Sequence, residues 1–306
     1  MNYIKRLWGI ILFVVMVSSI AVVGVSYHLI RTTCSRSFIL PKEQKRILEK
    51  RSILVNQFNG EPVEFITSDG IKLAGLLFKR ANAQKVIIAA HGYFQSKELM
   101  MHVVDMCSND HVLLFDFRGH GQSCGDTISI GYHERKDVFS AIKFLQECGI
   151  GNSLPLIGVG NSMGSATLIG AVAQGASFDA LILDSGFANL ENQLNKTFTT
   201  RTGFPKKPFL TIAMKLCRYM GSGNLEDVAP VEWIKSVLIP VLIIHSNSDH
   251  MVLLSDAQAL YANAPGSKEL WIVPGARHGN VWAHDYKQYK KRVNEFIDKY
   301  ALKKSK

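Results

Sequence analysis

"LIGVGNSMGSATLIGAVA", residues 156 to 173, runs from an apolar stretch, through a serine with glycine two positions to either side, into a segment of small and apolar residues. An apolar strand, a tight turn exposing one hydroxyl and a helix is the setting in which a nucleophilic serine is held on a strained backbone. The chain contains a second Gly-x-Ser-x-Gly, "GQSCG" at 121 to 125, so the motif alone does not choose between Ser123 and Ser162. Context separates them. Ser162 directly follows a strand and precedes a helix, whereas Ser123 lies in a glycine-rich loop followed by "GDTISIGYHE", which is no helix. Ser162 is therefore the candidate nucleophile and Ser123 a loop residue.

Outward from this stretch lie further short apolar runs: "KVIIAA" (85 to 90), "HVLLFDF" (111 to 117), "DALILD" (179 to 184), "IPVLIIH" (239 to 245) and "KELWIV" (268 to 273). They are rich in Val, Ile and Leu without strict alternation, as in strands buried on both faces of a parallel sheet. Ahead of them, "PVEFIT" and "IKLAGLLFK" flank "SDG" and read as an antiparallel hairpin. Helices are expected at 134 to 149, with Val138, Ile142 and Leu145 on one face; from a Ser255 cap to Pro265; and at about 285 to 302. A hairpin leading into repeated β-α units predicts a doubly wound, mostly parallel sheet with helices on both faces. Residues 187 to 237 contain no obvious strand, and a connection of that length is expected to be a lid or binding insertion.

In such a sheet, ligands sit beyond the carboxyl ends of the strands. The polar residues expected there are His91-Gly92-Tyr93, Asp116, Ser162, Asp184, Asp249 and His278. Nucleophile, acid and base thus occur in the order Ser162, Asp249, His278, with Asp184 in reserve for the acid. His91, His120 and His245 are expected to make loop hydrogen bonds, since no partner stands at metal-ligand spacing. No metal or cofactor is expected.

These pieces, "HGY" at 91, "DFRGHGQS" at 116, "GNSMG" at 160, "DSGF" at 184, "HSNSD" at 245 and "GARHG" at 275, together resemble the α/β-hydrolase superfamily from about residue 62 to 302. More narrowly they resemble its membrane-anchored, Bem46-like or serine-aminopeptidase-like (S33-type) branch. The resemblance implies an α/β-hydrolase fold and a serine hydrolase with Ser162, Asp249 and His278 as catalytic residues. It also implies an oxyanion hole from the backbone N–H groups of Met163 and Tyr93. Ser246 departs from the pattern, which commonly has His-Gly before the acid. The implied activity is that of a carboxylesterase, lipase or acyl-thioesterase on a small acyl ester or lipid-like substrate. The alternatives are an aminopeptidase-like peptidase and an inactive, membrane-tethered binding protein. An aminopeptidase needs acidic groups for the substrate amine, but 187 to 237 is mainly basic: Lys196, Arg201, Lys206, Lys207, Lys215, Arg218 and Lys235, against Glu191, Glu226, Asp227 and Glu232. Phe198, Phe204, Phe209, Ile212, Met214 and Met220 in the same segment are expected to line an acyl slot or simply to pack.

The 306 residues are 47% apolar and 20% charged, enough for one large domain with an appendage. That appendage is Leu7 to Ile30, without a formal charge and about 36 Å long as a helix, more than a bilayer core of roughly 30 Å. It is longer than the apolar core of a signal peptide, and residues 1 to 30 are expected to be an uncleaved single-pass membrane anchor. Residues 31 to 61 are expected to be a basic linker and 62 to 306 the hydrolase domain. Arg31, Arg36, Lys42, Lys45 and Arg46 after the span lean toward a cytoplasmic domain, while the basic start Lys5-Arg6 equally suits the opposite insertion. Five cysteines, odd in number, suggest free thiols. The net charge of +10 is concentrated in 31 to 51 and the terminal "KKSK", where anionic lipid is the plausible partner. No nucleic-acid motif accompanies it, so no nucleic acid is expected as a partner.

Overall fold

The computed structural model describes residues 2–34, 41–151 and 153–301. The terminal "KKSK", Arg36 and the far end of the last expected helix lie outside these.

Eight strands form one sheet: β1 (Glu61–Ile66), β2 (Lys72–Phe78), β3 (Val86–Ala90), β4 (His111–Phe115), β5 (Leu156–Asn161), β6 (Ala180–Asp184), β7 (Val241–Ser246) and β8 (Lys268–Val273). Their spatial order is β1-β2-β4-β3-β5-β6-β7-β8. The first two pair antiparallel as the expected hairpin, with Gly70 at φ +84° in its turn, β2 meets β4 antiparallel, and every other pair is parallel. Between β3 and β5 the chain reverses its direction of travel across the sheet, which opens a crevice at the carboxyl ends of those two strands.

The helices are α1 (Asn2–Thr33), α2 (Pro41–Asn56), α3 (Met101–Met106), α4 (Glu134–Glu147), α5 (Met163–Ala173), α6 (Leu190–Thr202), α7 (Lys206–Tyr219), α8 (Pro230–Trp233), α9 (Leu254–Asn263), α10 (Val281–His284) and α11 (Tyr286–Tyr300). Successive strand side chains feed two separate cores. Val86, Ile88 and Ala90 pack on the side of α4 and α5, while Ile87 and Ala89 pack on the side of α3 and α11. Burial of both faces explains the continuous apolar runs in the sequence.

Two local expectations are corrected. The strand β8 is only partly buried, with Ile272 exposed, because it is the sheet edge and has one neighbouring strand. The helix α9 begins at Leu254, so Ser255 lies inside it; its first turn is tied down instead by Asp256, whose carboxylate accepts from Ala188 N at 3.0 Å and Lys196 Nζ at 3.0 Å. Within the expected linker, residues 41 to 56 are helical, and Leu54 is fully buried in the core that contains Phe78.

Within α1, Ile11–Arg31 is long and apolar enough to cross a membrane, with mean hydropathy 2.1. Among the described residues of that stretch, those near its C-terminal end pack on the rest of the protein. Ser26 and Ile30 are buried, and Ser26 Oγ donates to Phe209 O of α7 at 3.2 Å. Residues 187 to 237 hold α6, α7 and α8, set between β6 and β7.

Candidate active site

Ser162 is the turn between β5 and α5. Its backbone lies at φ +52°, ψ −112°, a conformation that an L-residue holds only when its surroundings impose it. Both glycines of the motif are sterically required. A Cβ on Gly160 would fall 2.6 Å from Ser165 N, and one on Gly164 would fall 2.1 Å from Ala90 O in β3. The pentapeptide thus lets α5 start hard against β3 and β5, leaving the Ser162 side chain at the sheet's carboxyl edge.

The strands bring the predicted partners to that same edge. His278 Nε2 lies 3.0 Å from Ser162 Oγ, and His278 Nδ1 lies 2.6 Å from Asp249 Oδ2. The other oxygen, Asp249 Oδ1, accepts from Met251 N at 2.8 Å and Val252 N at 3.0 Å. Burial opposes the charge on Asp249, but the hydrogen bond to His278 and the two backbone donors outweigh it and hold the carboxyl below its ordinary value. An ionised Asp249 fixes the proton on His278 Nδ1 and leaves Nε2 as the acceptor facing Ser162.

Asp184, the reserve acid, is not in this chain of contacts. It is the buried last residue of β6, and Ser185 Oγ donates to its Oδ1 at 2.7 Å. Desolvation is the largest influence and pushes its pKa up to about 6. Ser185 Oγ also accepts from Gly279 N at 3.3 Å, so Asp184 supports the loop that carries His278.

Ser123 is buried and structural: its hydroxyl donates to Asp116 O at 2.6 Å and accepts from Ala74 N at 2.9 Å. It joins β2 to the residue that follows β4. Asp116 itself accepts from the Lys97 and Gln122 backbone N–H groups and the Lys97 ammonium, a buried loop anchor away from Ser162. His91 accepts from Phe117 N and donates to Gly92 O; burial lowers its pKa to about 3, so it stays neutral. His120 and His245 likewise contact backbone, at Arg118 O and Val252 O.

The departure at Ser246 has a definite role that the sequence reading did not foresee. Its hydroxyl donates to Ala276 O at 2.7 Å and accepts from Ser248 N at 3.0 Å. It therefore pins the Asp249 loop to the His278 loop. Gln95 was also missed: its Oε1 accepts from Gly92 N at 3.0 Å and fixes the turn that presents Tyr93. Only the order of small polar residues after each strand signalled either one.

Above Ser162 is a solvent-open cleft of about 900 Å³ lined by Tyr93, Met163, Ile130, Leu194, Gln193 and Met251 among others. The two residues expected to offer oxyanion-hole N–H groups, Met163 and Tyr93, flank it with Ser162 and His278. Among the described residues, no Asp or Glu lines it. Of the six apolar residues singled out in 187 to 237, Phe198 and Met214 line an adjoining cavity, while the Phe204 and Phe209 rings pack on each other at 4.9 Å.

The serine aminopeptidase S33 family model matches residues 81–225. The Bacillus subtilis (strain 168) protein YqkD is 32% identical over 238 residues, covering 75% of this chain and 76% of its own. Thiohydrolase aneE of Aspergillus aculeatus is 37% identical over 116 residues, 36% of each chain. Among solved structures, the Pyrococcus furiosus esterase Pf2001 superposes with a TM-score of 0.68 at 24% identity, over 81% of this chain and 94% of the esterase. With the sheet order, the serine turn and these likenesses in agreement, the chain belongs to the α/β-hydrolase superfamily, as a hydrolase of the branch that the serine aminopeptidase S33 model describes.

Proposed function

We propose that the protein is a serine hydrolase that cleaves carboxylic esters or thioesters through an acyl-enzyme intermediate on Ser162. The observation that carries this reading is the unbroken contact chain from Ser162 Oγ through both nitrogens of His278 to Asp249. In the first half-reaction the Ser162 oxygen bonds to the acyl carbon as His278 Nε2 takes its proton. The bond from that carbon to the leaving oxygen or sulfur then breaks, and His278 returns the proton to the leaving group. Water repeats the sequence, with His278 as base, and releases the acid. Asp249 stabilises the imidazolium throughout. The backbone N–H groups of Met163 and Tyr93 hold the negative oxygen; in serine hydrolases one such donor typically contributes about 10²–10³ in turnover.

The cleft favours an ester or thioester over a peptide with a free amino end, because among the described residues no carboxylate lines it to hold an ammonium group. The likeness to an esterase and a thiohydrolase runs the same way. In this reading α1 is an uncleaved anchor, since its end is built into the folded domain through Ser26 and Ile30. Residues 62–306 form the hydrolase domain, with 187–237 as its lid. A fluorophosphonate probe tests the proposal: labelling is expected in the wild type and lost in Ser162→Ala, and labelling that survives that change overturns it. Faster turnover of aminoacyl anilides than of p-nitrophenyl esters would favour the peptidase reading instead.

A further inference from the structure

A second, apolar cavity lies between the C-terminal end of α1 and the helices α6 and α7. Its walls include Leu29 and Ile30 of α1, Leu194 and Phe198 of α6, and Leu210 and Met214 of α7, and no charged side chain lines it among the described residues. It adjoins the Ser162 cleft. Tyr93, Ile130, Leu194 and Thr197 line both.

The placement of this cavity relative to the apolar span is specific. The helices α1 and α7 run side by side in the same direction: Ser26 bonds to Phe209 O at one end, and the Cys34 and Cys217 sulfurs stand 4.0 Å apart at the other. The start of α7 therefore sits level with Ser26, inside the Ile11–Arg31 stretch. A void walled by the apolar helix on one side and adjoining the serine cleft on the other has two ends of different character.

From this shared wall, and resting on the reading of Ser162 as the nucleophile, we infer that the cavity is the acyl subsite for a long-chain lipid ester drawn from the bilayer, with Tyr93 and Leu194 parting to join it to the cleft. The chain lies between α1 and α7 and the ester carbonyl reaches Ser162 past Tyr93 and Leu194. An apolar chain leaving lipid for this cavity stays in apolar surroundings along its length, whereas the same chain presented from water has no such path. The anchor is then part of the substrate site as well as a tether.

The test uses the full-length protein in phospholipid vesicles and two p-nitrophenyl esters, butyrate and palmitate. Ala213→Trp fills the cavity from α7 away from Ser162. It is expected to lower the palmitate-to-butyrate ratio of kcat/KM by at least about tenfold, the effect of displacing roughly two methylenes from apolar contact. An unchanged ratio overturns the inference. Independently of any variant, an alkyl fluorophosphonate with a terminal diazirine is reacted with the wild type and irradiated. Cross-links to residues 29 to 34 or 210 to 217 are expected. Labelling of Ser162 with cross-links elsewhere overturns the acyl subsite, whereas no labelling and no turnover of either ester overturns the nucleophile reading itself.

Discussion

The hydroxyl of Tyr93 donates a hydrogen bond to the main-chain carbonyl of Thr33, the last residue of α1. The residue whose backbone flanks the serine is thus tied by its side chain to the end of the apolar helix. Tyr93→Phe removes this bond and leaves the backbone in place. Thermal unfolding in detergent is expected to show a loss of about 1 kcal/mol, the net value of one such bond, with fluorophosphonate labelling retained.

The two Gly-x-Ser-x-Gly serines are expected to fail in opposite ways. Ser162→Ala abolishes labelling and leaves stability nearly unchanged, because a strained nucleophile position is not a stability device. Ser123→Ala keeps Ser162 reactive but strands Ala74 N and Asp116 O, at roughly 1–3 kcal/mol. Urea midpoints measured beside probe labelling separate the two.

Much of this was legible because strand, loop and helix each leave a local mark. The runs that became β3 to β7 are apolar throughout because both their faces are covered, and Ser162, Asp249 and His278 each follow a strand at the same sheet edge. What was not legible depends on residues far apart in the chain. Ser26 and Phe209 are 183 positions apart, and no periodicity in α1 announces that its end walls a cavity. The exposed edge of β8 and the buried Leu54 were missed for the same reason: the strand order and the packing of α2 decide them.

Ser246 couples the loops of Asp249 and His278 through Ala276 O and Ser248 N. Ser246→Ala frees both loops, and a displacement approaching an ångström between His278 and Ser162 can cost up to about 10² in rate. The expected signature is a fall in kcat with KM little altered, because the group touches neither cleft nor substrate. An equal fall in a variant whose KM rises in proportion would assign Ser246 to binding instead.

Asp249→Asn tests the acid directly. The amide cannot hold the Nδ1 proton of His278 by accepting with full negative charge, and the wrong tautomer presents N–H to Ser162. By comparison with serine hydrolases generally, kcat is expected to fall by about 10⁴. Asp184→Asn, by contrast, is expected to retain most activity, and a loss as large as that of Asp249→Asn would show that the reserve carboxylate is the acid.

Asp184 makes a separate prediction for stability. Its ordinary pKa of 3.8 applies to the unfolded chain, and burial raises it to about 6 in the fold. The folded protein therefore binds the proton more tightly, and between about pH 4 and pH 6 the native state holds more protons than the unfolded one. Stability contributed by this group is full below pH 4 and declines as pH rises to 6, on the order of 2–3 kcal/mol in total. Asp249 has the opposite sign, but its lowered pKa acts below its ordinary value, outside this range, and does not offset the Asp184 trend. Replacing Asp184 by Asn removes that trend. Urea unfolding across this range is expected to show the variant gaining on the wild type as pH increases, and a constant difference between the two would mean that Asp184 titrates alike in both states.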